Sequence, residues 1–136
     1  MDDSSLVKKL GIKPGQKMLI LNAPEDYIHL LGTLPDGAEV KMKAAGIFDF
    51  VQAFMYSKAD VESYAAVAMR ALKPGGLLWF TYPKKTSSIK TDITRDIGWE
   101  EVIKSGIRPV TQIAIDETWS ALRFRPTDEV KSKNRS

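Results

Sequence analysis

Residues 48–80 read FDFVQAFMYSKADVESYAAVAMRALKPGGLLWF, and this stretch decides the fold. Phe48 to Phe54 is a short apolar run, the pattern of a strand buried on both faces. Ser57 then opens the clearest helix in the chain. Asp60 stands three residues on, an acidic variant of the capping box, and Val61, Tyr64, Ala65, Ala68, Ala71 and Leu72 fall on one helical face. Lys73-Pro74-Gly75-Gly76 stops the helix, and Leu77 to Thr81, LLWFT, is a second buried-strand run. Strand, helix and strand in this spacing make one parallel crossover unit.

Working outward, the same grammar recurs. Ser4 or Ser5 caps a short helix through Leu6, Val7 and Leu10 that Gly11 ends, and Pro14-Gly15 turns the chain into the strand KMLIL, Lys17 to Leu21. Pro24, Glu25 and Asp26 suit a first helical turn, with Tyr27, Leu30 and Leu31 as its apolar face. Glu39 to Lys43 alternates weakly, as a short edge strand does, yet only residues 44–47 separate it from Phe48. A parallel crossover normally needs a dozen residues or more. Either the segment is not a full sheet member, or the pairing is unusual.

Past Thr81, Thr94 or Asp96 caps a further helix using Ile97, Val102 and Ile103 and closed by Gly106. Val110 to Ile115 and Thr118 to Phe124 alternate and join across Asp116-Glu117, an antiparallel hairpin. The expected fold is α/β: a trimmed, Rossmann-like, mainly parallel sheet with helices on both faces and a C-terminal antiparallel hairpin. At 136 residues there is room for one domain, drawn here as 1–126, with 127–136 as a basic tail without structure.

Composition narrows the function classes. With no cysteine, disulfides and cysteine-held metals are excluded, and a single histidine, His29, leaves no multi-histidine metal site. The N-terminal stretch lacks the charged leader and apolar core of a secretory signal, and no segment approaches the roughly 20 apolar residues that span a bilayer. A cytoplasmic protein without membrane contact is the expectation. The formal charge of +3 lies wholly in Lys131, Lys133 and Arg135 of the last six residues, so residues 1–130 balance. Nucleic-acid binding is therefore only weakly supported.

The words Leu72-Lys73-Pro74-Gly75-Gly76, between an apolar strand carrying Asp49 and the strand LLWF, resemble the second half of a class I S-adenosylmethionine-dependent methyltransferase core. The closing strand, helix and hairpin follow the family's order. Gly75-Gly76-Leu77-Leu78-Trp79, Pro83-Lys84 and Trp119 also resemble a set of small uncharacterised bacterial proteins of this trimmed layout. The resemblance implies a methyltransferase-like fold in degenerate form. In that family a glycine-rich loop after the first strand lets the backbone approach the cofactor. Here LILNAPEDY stands there, with no glycine between Gly15 and Gly32. The family's ribose-binding acid after the second strand has no counterpart in residues 44–47, AAGI, and Phe54-Met55-Tyr56-Ser57 does not match the Asn/Asp-Pro-Pro-Tyr motif of amino-group methyltransferases.

From this we expect no cofactor, with S-adenosylmethionine disfavoured, no catalytic residues and no metal ligands. The expected function is a non-catalytic binding or interaction module. Methyl transfer with an atypical cofactor site is the alternative, and nucleic-acid binding through the tail a second. Ligands of open α/β sheets gather at the C-terminal ends of the strands. The polar run YPKKTSSIKTDITRD, residues 82–96, leaves the sheet there. Lys84, Lys85, Lys90, Thr91 and Arg95, with Asn22 after the first strand, are the candidate residues for an anionic small molecule or a phosphorylated partner. Asp116 and Glu117 read as turn residues, Trp79 as core, and Trp119 as core or hairpin packing.

Overall fold

A computed structural model describes residues 4–127. In chain order the elements are α1 (Ser4–Leu10), β1 (Lys17–Leu21), α2 (Tyr27–Leu31), β2 (Glu39–Lys41), β3 (Phe48–Phe54), α3 (Lys58–Ala71), β4 (Leu72–Pro83), α4 (Glu100–Lys104), β5 (Ile107–Ala114) and β6 (Trp119–Pro126). They form one six-stranded sheet in the order β2-β1-β3-β4-β6-β5. The first four strands pair in parallel, and β6 runs antiparallel to both β4 and β5. Of the tail expected over residues 127–136, Thr127 donates its N–H to the Gly106 carbonyl at 2.8 Å, and residues 128–136 lie outside the described residues.

Alternation along the strands builds two cores. Val51, Leu78, Phe80 and Phe124 face Val61, Ala65 and Ala68 of α3 and Val102 of α4. Met18, Ile20, Phe50 and Trp79 face Leu10 of α1 and Tyr27 and Leu31 of α2. Every residue of β3 but Asp49 is buried, because β3 lies between β1 and β4 with helices on either side. Its uninterrupted apolar run is the consequence. One polar chain crosses the second core. Tyr27 Oη donates to Gln52 Oε1 and Gln52 Nε2 donates to Thr81 Oγ1, both at 2.9 Å. Trp79 ties α1 to the sheet by donating its indole N–H to the Leu10 carbonyl at 2.9 Å.

The segment left open in the sequence is a true sheet member. β2 pairs with the far side of β1, with Lys17 opposite Glu39 and Leu19 opposite Lys41. The six residues between β2 and β3 need no helix, because β2 is only three residues long. The chain steps back about 10 Å and across about 10 Å, within the reach of six residues.

Three boundaries differ from expectation. Strand β4 starts at Leu72, directly after α3, and Lys73–Gly76 bulge out. Leu72 pairs with Phe48 and Leu77 with Phe50, so six residues of β4 face three of β3. Ser57 is extended, as a cap residue should be, but its side chain makes no capping bond. Asp60 instead accepts from Tyr56 N–H, and Asp92 accepts from Lys58 N–H, each at 2.8 Å. The last helix does not begin at Thr94 or Asp96. Thr94 Oγ1 accepts from Asp96 and Ile97 N–H in a local turn, which spends the capping oxygen five residues ahead of the five-residue α4. Ile97 and Ile103 are consequently about half exposed, at 50% and 48%. Leu30, expected on the apolar face of α2, is likewise exposed at 45%, because α2 makes little more than one turn.

Candidate functional site

The run of residues 82–96 is partly tied down. Lys84 N–H donates to the Thr118 carbonyl at 2.8 Å, joining its start to the hairpin. Ser87 closes a turn onto the Lys84 carbonyl through both its N–H and its hydroxyl. Further on, Asp92 caps α3 and Ile93 is buried in the α3/α4 core. Half of the loop is therefore structural. Its cations remain outside.

Three of the predicted residues meet. Lys84, Lys85 and Arg95 line one cleft of about 380 Å³ together with Tyr82, Thr86, Thr94, Asp96, Gln112 and Ser120. Strand pairing explains the inner wall. Tyr82 lies opposite Ser120 across β4 and β6, and Gln112 of β5 donates through Nε2 to Tyr82 Oη at 3.0 Å. Burial pushes the Tyr82 hydroxyl above its usual range, against the opposing pull of the Ser120 hydrogen bond and the Arg95 charge. The phenol is thus a neutral donor at neutral pH. Arg95 pairs with Asp96 at 3.0 Å in open solvent, a contact of the kind worth little.

The other three predicted residues stand elsewhere. Lys90 is exposed and does not line this cleft. Thr91 Oγ1 accepts from Ile93 N–H at 3.1 Å, so it shapes the loop. Asn22 neither caps α2 nor joins the cleft. It bridges the ends of β1 and β3 by donating Nδ2 to the Phe54 carbonyl at 2.8 Å, with Asp60 Oδ2 at 3.4 Å. Its φ is 60°, and it is the one non-glycine residue with positive φ among those described. Asparagine tolerates this left-handed conformation better than most residues. The helix expected to start at Thr94 or Asp96 begins only at Glu100, so residues 95–98 bend without forming its first turn.

The segment after β3 is filled by protein. Met55 is fully buried and donates its N–H to the Thr81 carbonyl at 2.7 Å. Trp119 packs edge-on against Phe54 and Tyr56, at 5.1 Å between ring centres in each case. Trp119 is therefore core. His29 is exposed, and Asp116 Oδ1 accepts from Thr118 and Trp119 N–H in the hairpin turn. Sequence reasoning missed Tyr82, Gln112 and Ser120, because only the order β4-β6-β5 brings them together. A weak signal was available in the polar residues 112 and 120, which stand in alternating strands on the side of Tyr82.

No family model matches the sequence, and none of the curated proteins does. Solved structures match at the level of fold. DhpI in complex with S-adenosylhomocysteine aligns over 90% of this chain and 81% of its own, at 14% identity and a TM-score of 0.59. A SAM-dependent methyltransferase from Aquifex aeolicus aligns over 90% and 88%, at 17% identity and 0.56. The fibrillarin pre-rRNA processing protein of Methanococcus jannaschii aligns over 85% and 68%, at 12% and 0.60. The chain has a class I methyltransferase-like fold.

At these identities the likeness is one of fold; that neighbours are complexes with SAH and SAM gives no support to the expectation that no cofactor binds. The residues present fit S-adenosylmethionine only in part. Asn22 has the positive φ that glycine adopts without strain, but its amide is engaged with Phe54 and Asp60. After β2 come Met42 and Lys43, both exposed, with no carboxylate for a ribose. Among the described residues no helix is long and apolar enough to cross a membrane.

Proposed function

We propose that the chain is a ligand-binding domain on a methyltransferase-like fold that holds an anionic or phosphorylated group in the cleft of Lys84, Lys85 and Arg95. One observation carries the reading: three cations from a single loop stand around neutral hydrogen-bonding groups from three neighbouring strands. Ammonium and guanidinium groups supply charge, while Tyr82, Gln112 and Ser120 supply orientation. The test is titration with pyrophosphate at low salt. The triple variant Lys84→Ala/Lys85→Ala/Arg95→Ala should lose the binding, whereas Lys90→Ala should keep it. Undiminished binding by the triple variant would sink the assignment.

A second reading is methyl transfer from S-adenosylmethionine with an altered cofactor pose. It is favoured by the fold neighbours and by the positive φ of Asn22 at the end of β1. Calorimetry with S-adenosylmethionine and S-adenosylhomocysteine decides it. Sub-millimolar binding of either puts this reading first, and no heat at millimolar ligand removes it.

A further inference from the structure

The cleft of Lys84, Lys85 and Arg95 contains more than an anion alone would use. An ionised phosphate offers acceptor oxygens, so it calls for donors. Asp96 lines the same cleft, and its carboxylate only accepts. Gln112 adds a second acceptor. Its Nε2 donates to Tyr82 Oη at 3.0 Å, and no protein group among the described residues donates to its Oε1. Both acceptors repel a phosphate oxygen, and both receive the proton of a hydroxyl.

Charge and lining narrow the ligand further. Three cations against one carboxylate leave the cleft at a net +2, the complement of a phosphomonoester, which carries about −1.5 to −2 near neutral pH. No aliphatic hydrophobic side chain lines it. Its one ring, Tyr82, is 4% exposed and packs edge-on against Trp99 at 5.8 Å between ring centres, so no ring face is open to a base or another flat apolar group. Thr94 Oγ1 accepts from Asp96 and Ile97 N–H, which leaves its own proton to donate. The volume of about 380 Å³ lies in the range of small-molecule sites, so there is room for more than a bare ion.

Resting on the function proposed above, we infer that the ligand is the phosphomonoester of a small polyol, a sugar or sugar-alcohol phosphate, with Lys84, Lys85 and Arg95 on the phosphate and Asp96 and Gln112 Oε1 accepting from its hydroxyls. Asp96 is the residue that sets this specificity. Without ligand its carboxylate pairs with Arg95 at 3.0 Å in open solvent. A polyol phosphate gives each member of that pair a new partner, the phosphate for Arg95 and a hydroxyl for Asp96, whereas a plain phosphate ester takes Arg95 and leaves the carboxylate facing like charge.

The experiment is calorimetry on the full chain at low salt with glycerol phosphate, propyl phosphate and phenyl phosphate, which share the charged group and differ in hydroxyls and apolar surface. Glycerol phosphate should bind about tenfold more tightly than propyl phosphate, the scale of one charge-assisted hydrogen bond, and more tightly than phenyl phosphate. Asp96→Ala should erase that preference while tightening propyl phosphate, because it removes a negative charge beside the phosphate. A variant that merely disturbed the loop would weaken both esters, and that result overturns the role given to Asp96. Equal affinities for glycerol and propyl phosphate, a preference that survives Asp96→Ala, or tightest binding of phenyl phosphate overturns the inference. If the esters bind alike while Lys84→Ala/Lys85→Ala/Arg95→Ala loses pyrophosphate, the anion site stands and the polyol assignment falls. If glycerol phosphate still binds that triple variant undiminished, both fall.

Discussion

Replacing Gln52 by leucine tests whether the polar chain in the second core is a structural requirement. Gln52 and Thr81 are fully buried and Tyr27 is 2% exposed, so water cannot replace a lost partner. The substitution roughly conserves volume and removes two hydrogen bonds at 2.9 Å, leaving the Tyr27 hydroxyl and Thr81 Oγ1 without their present partner. Each stranded group costs about 1–3 kcal/mol, and the added apolar burial offsets about 1 kcal/mol, for a net loss of about 1–5 kcal/mol. With a urea m-value of about 2 kcal/mol/M, the midpoint should fall by about 0.5–2.5 M. Equilibrium urea unfolding followed by the fluorescence of Trp79, Trp99 and Trp119 measures it. Tyr27→Phe should cost about 1–2 kcal/mol, and the double variant should cost about 1 kcal/mol less than the sum, because the two changes strand the same bond. The reasoning fails if Gln52→Leu moves the midpoint by less than about 0.3 M at unchanged slope, or if the two variants add. The same chain predicts an alkaline limit. Burial holds the Tyr27 hydroxyl far above its usual range, so the unfolded chain ionises first, near pH 10, and stability falls as pH rises beyond it. Tyr27→Phe should flatten that limb.

At Gly76 an added Cβ would stand 2.7 Å from Leu72 Cδ1 and 2.9 and 3.0 Å from the Asp49 and Lys73 carbonyl oxygens, while at Gly75 it would meet nothing. Gly76→Ala should therefore cost more than about 2 kcal/mol and Gly75→Ala, strained only by its φ of 82°, about 1 kcal/mol; thermal melts showing the reverse order would contradict the bulge geometry. Asp92→Ala removes the carboxylate that accepts from Lys58 N–H, so it should cost about 1 kcal/mol and speed hydrogen exchange at that amide. Asp49 accepts from Lys17 N–H and pairs with Lys73, and these contacts, the backbone bond first, lower its pKa. Its contribution is present above about pH 4 and lost as pH falls, so Asp49→Asn should show a flatter acid limb in Tm against pH.

The parts of the fold that were legible are those governed by periodicity and punctuation. The run FDFVQAF reads as buried because both its faces are covered, and the alanine-lined face of α3 reads as helical because its 3–4 spacing meets a single surface. What failed is whatever depends on partners distant in sequence. Thr94 carries the chemistry of a helix cap, yet its oxygen closes a local turn, while Asp92 caps a helix that begins 34 residues earlier. Nothing local distinguishes the two. The same limit divides the candidate site. Lys84 and Lys85, at the end of β4, line the cleft, whereas Lys90 and Thr91 follow the same polar pattern and do not.

Asn22 shows why residue type and conformation have to be weighed separately. By identity the loop after β1 lacks glycine, and identity alone argues against cofactor approach. By conformation the residue that matters is already left-handed, at φ 60°. What then separates this edge from an open one is the side chain. Its amide crosses to the Phe54 carbonyl, while Asp60, within 3.4 Å, fixes the Tyr56 N–H, and Tyr56 leans on Trp119 of β6. A linked set of side chains thus joins β1, β3, α3 and β6, whereas on the other side of β4 the wall of the cleft is phenol, amide and hydroxyl under three cations. A ligand entering the β1–β3 edge must break hydrogen bonds that the protein already makes. One entering the cleft meets an exposed ion pair of little worth and the single amide–phenol bond of Gln112 to Tyr82. The energetic bias of this sheet therefore runs toward the β4–β6–β5 side.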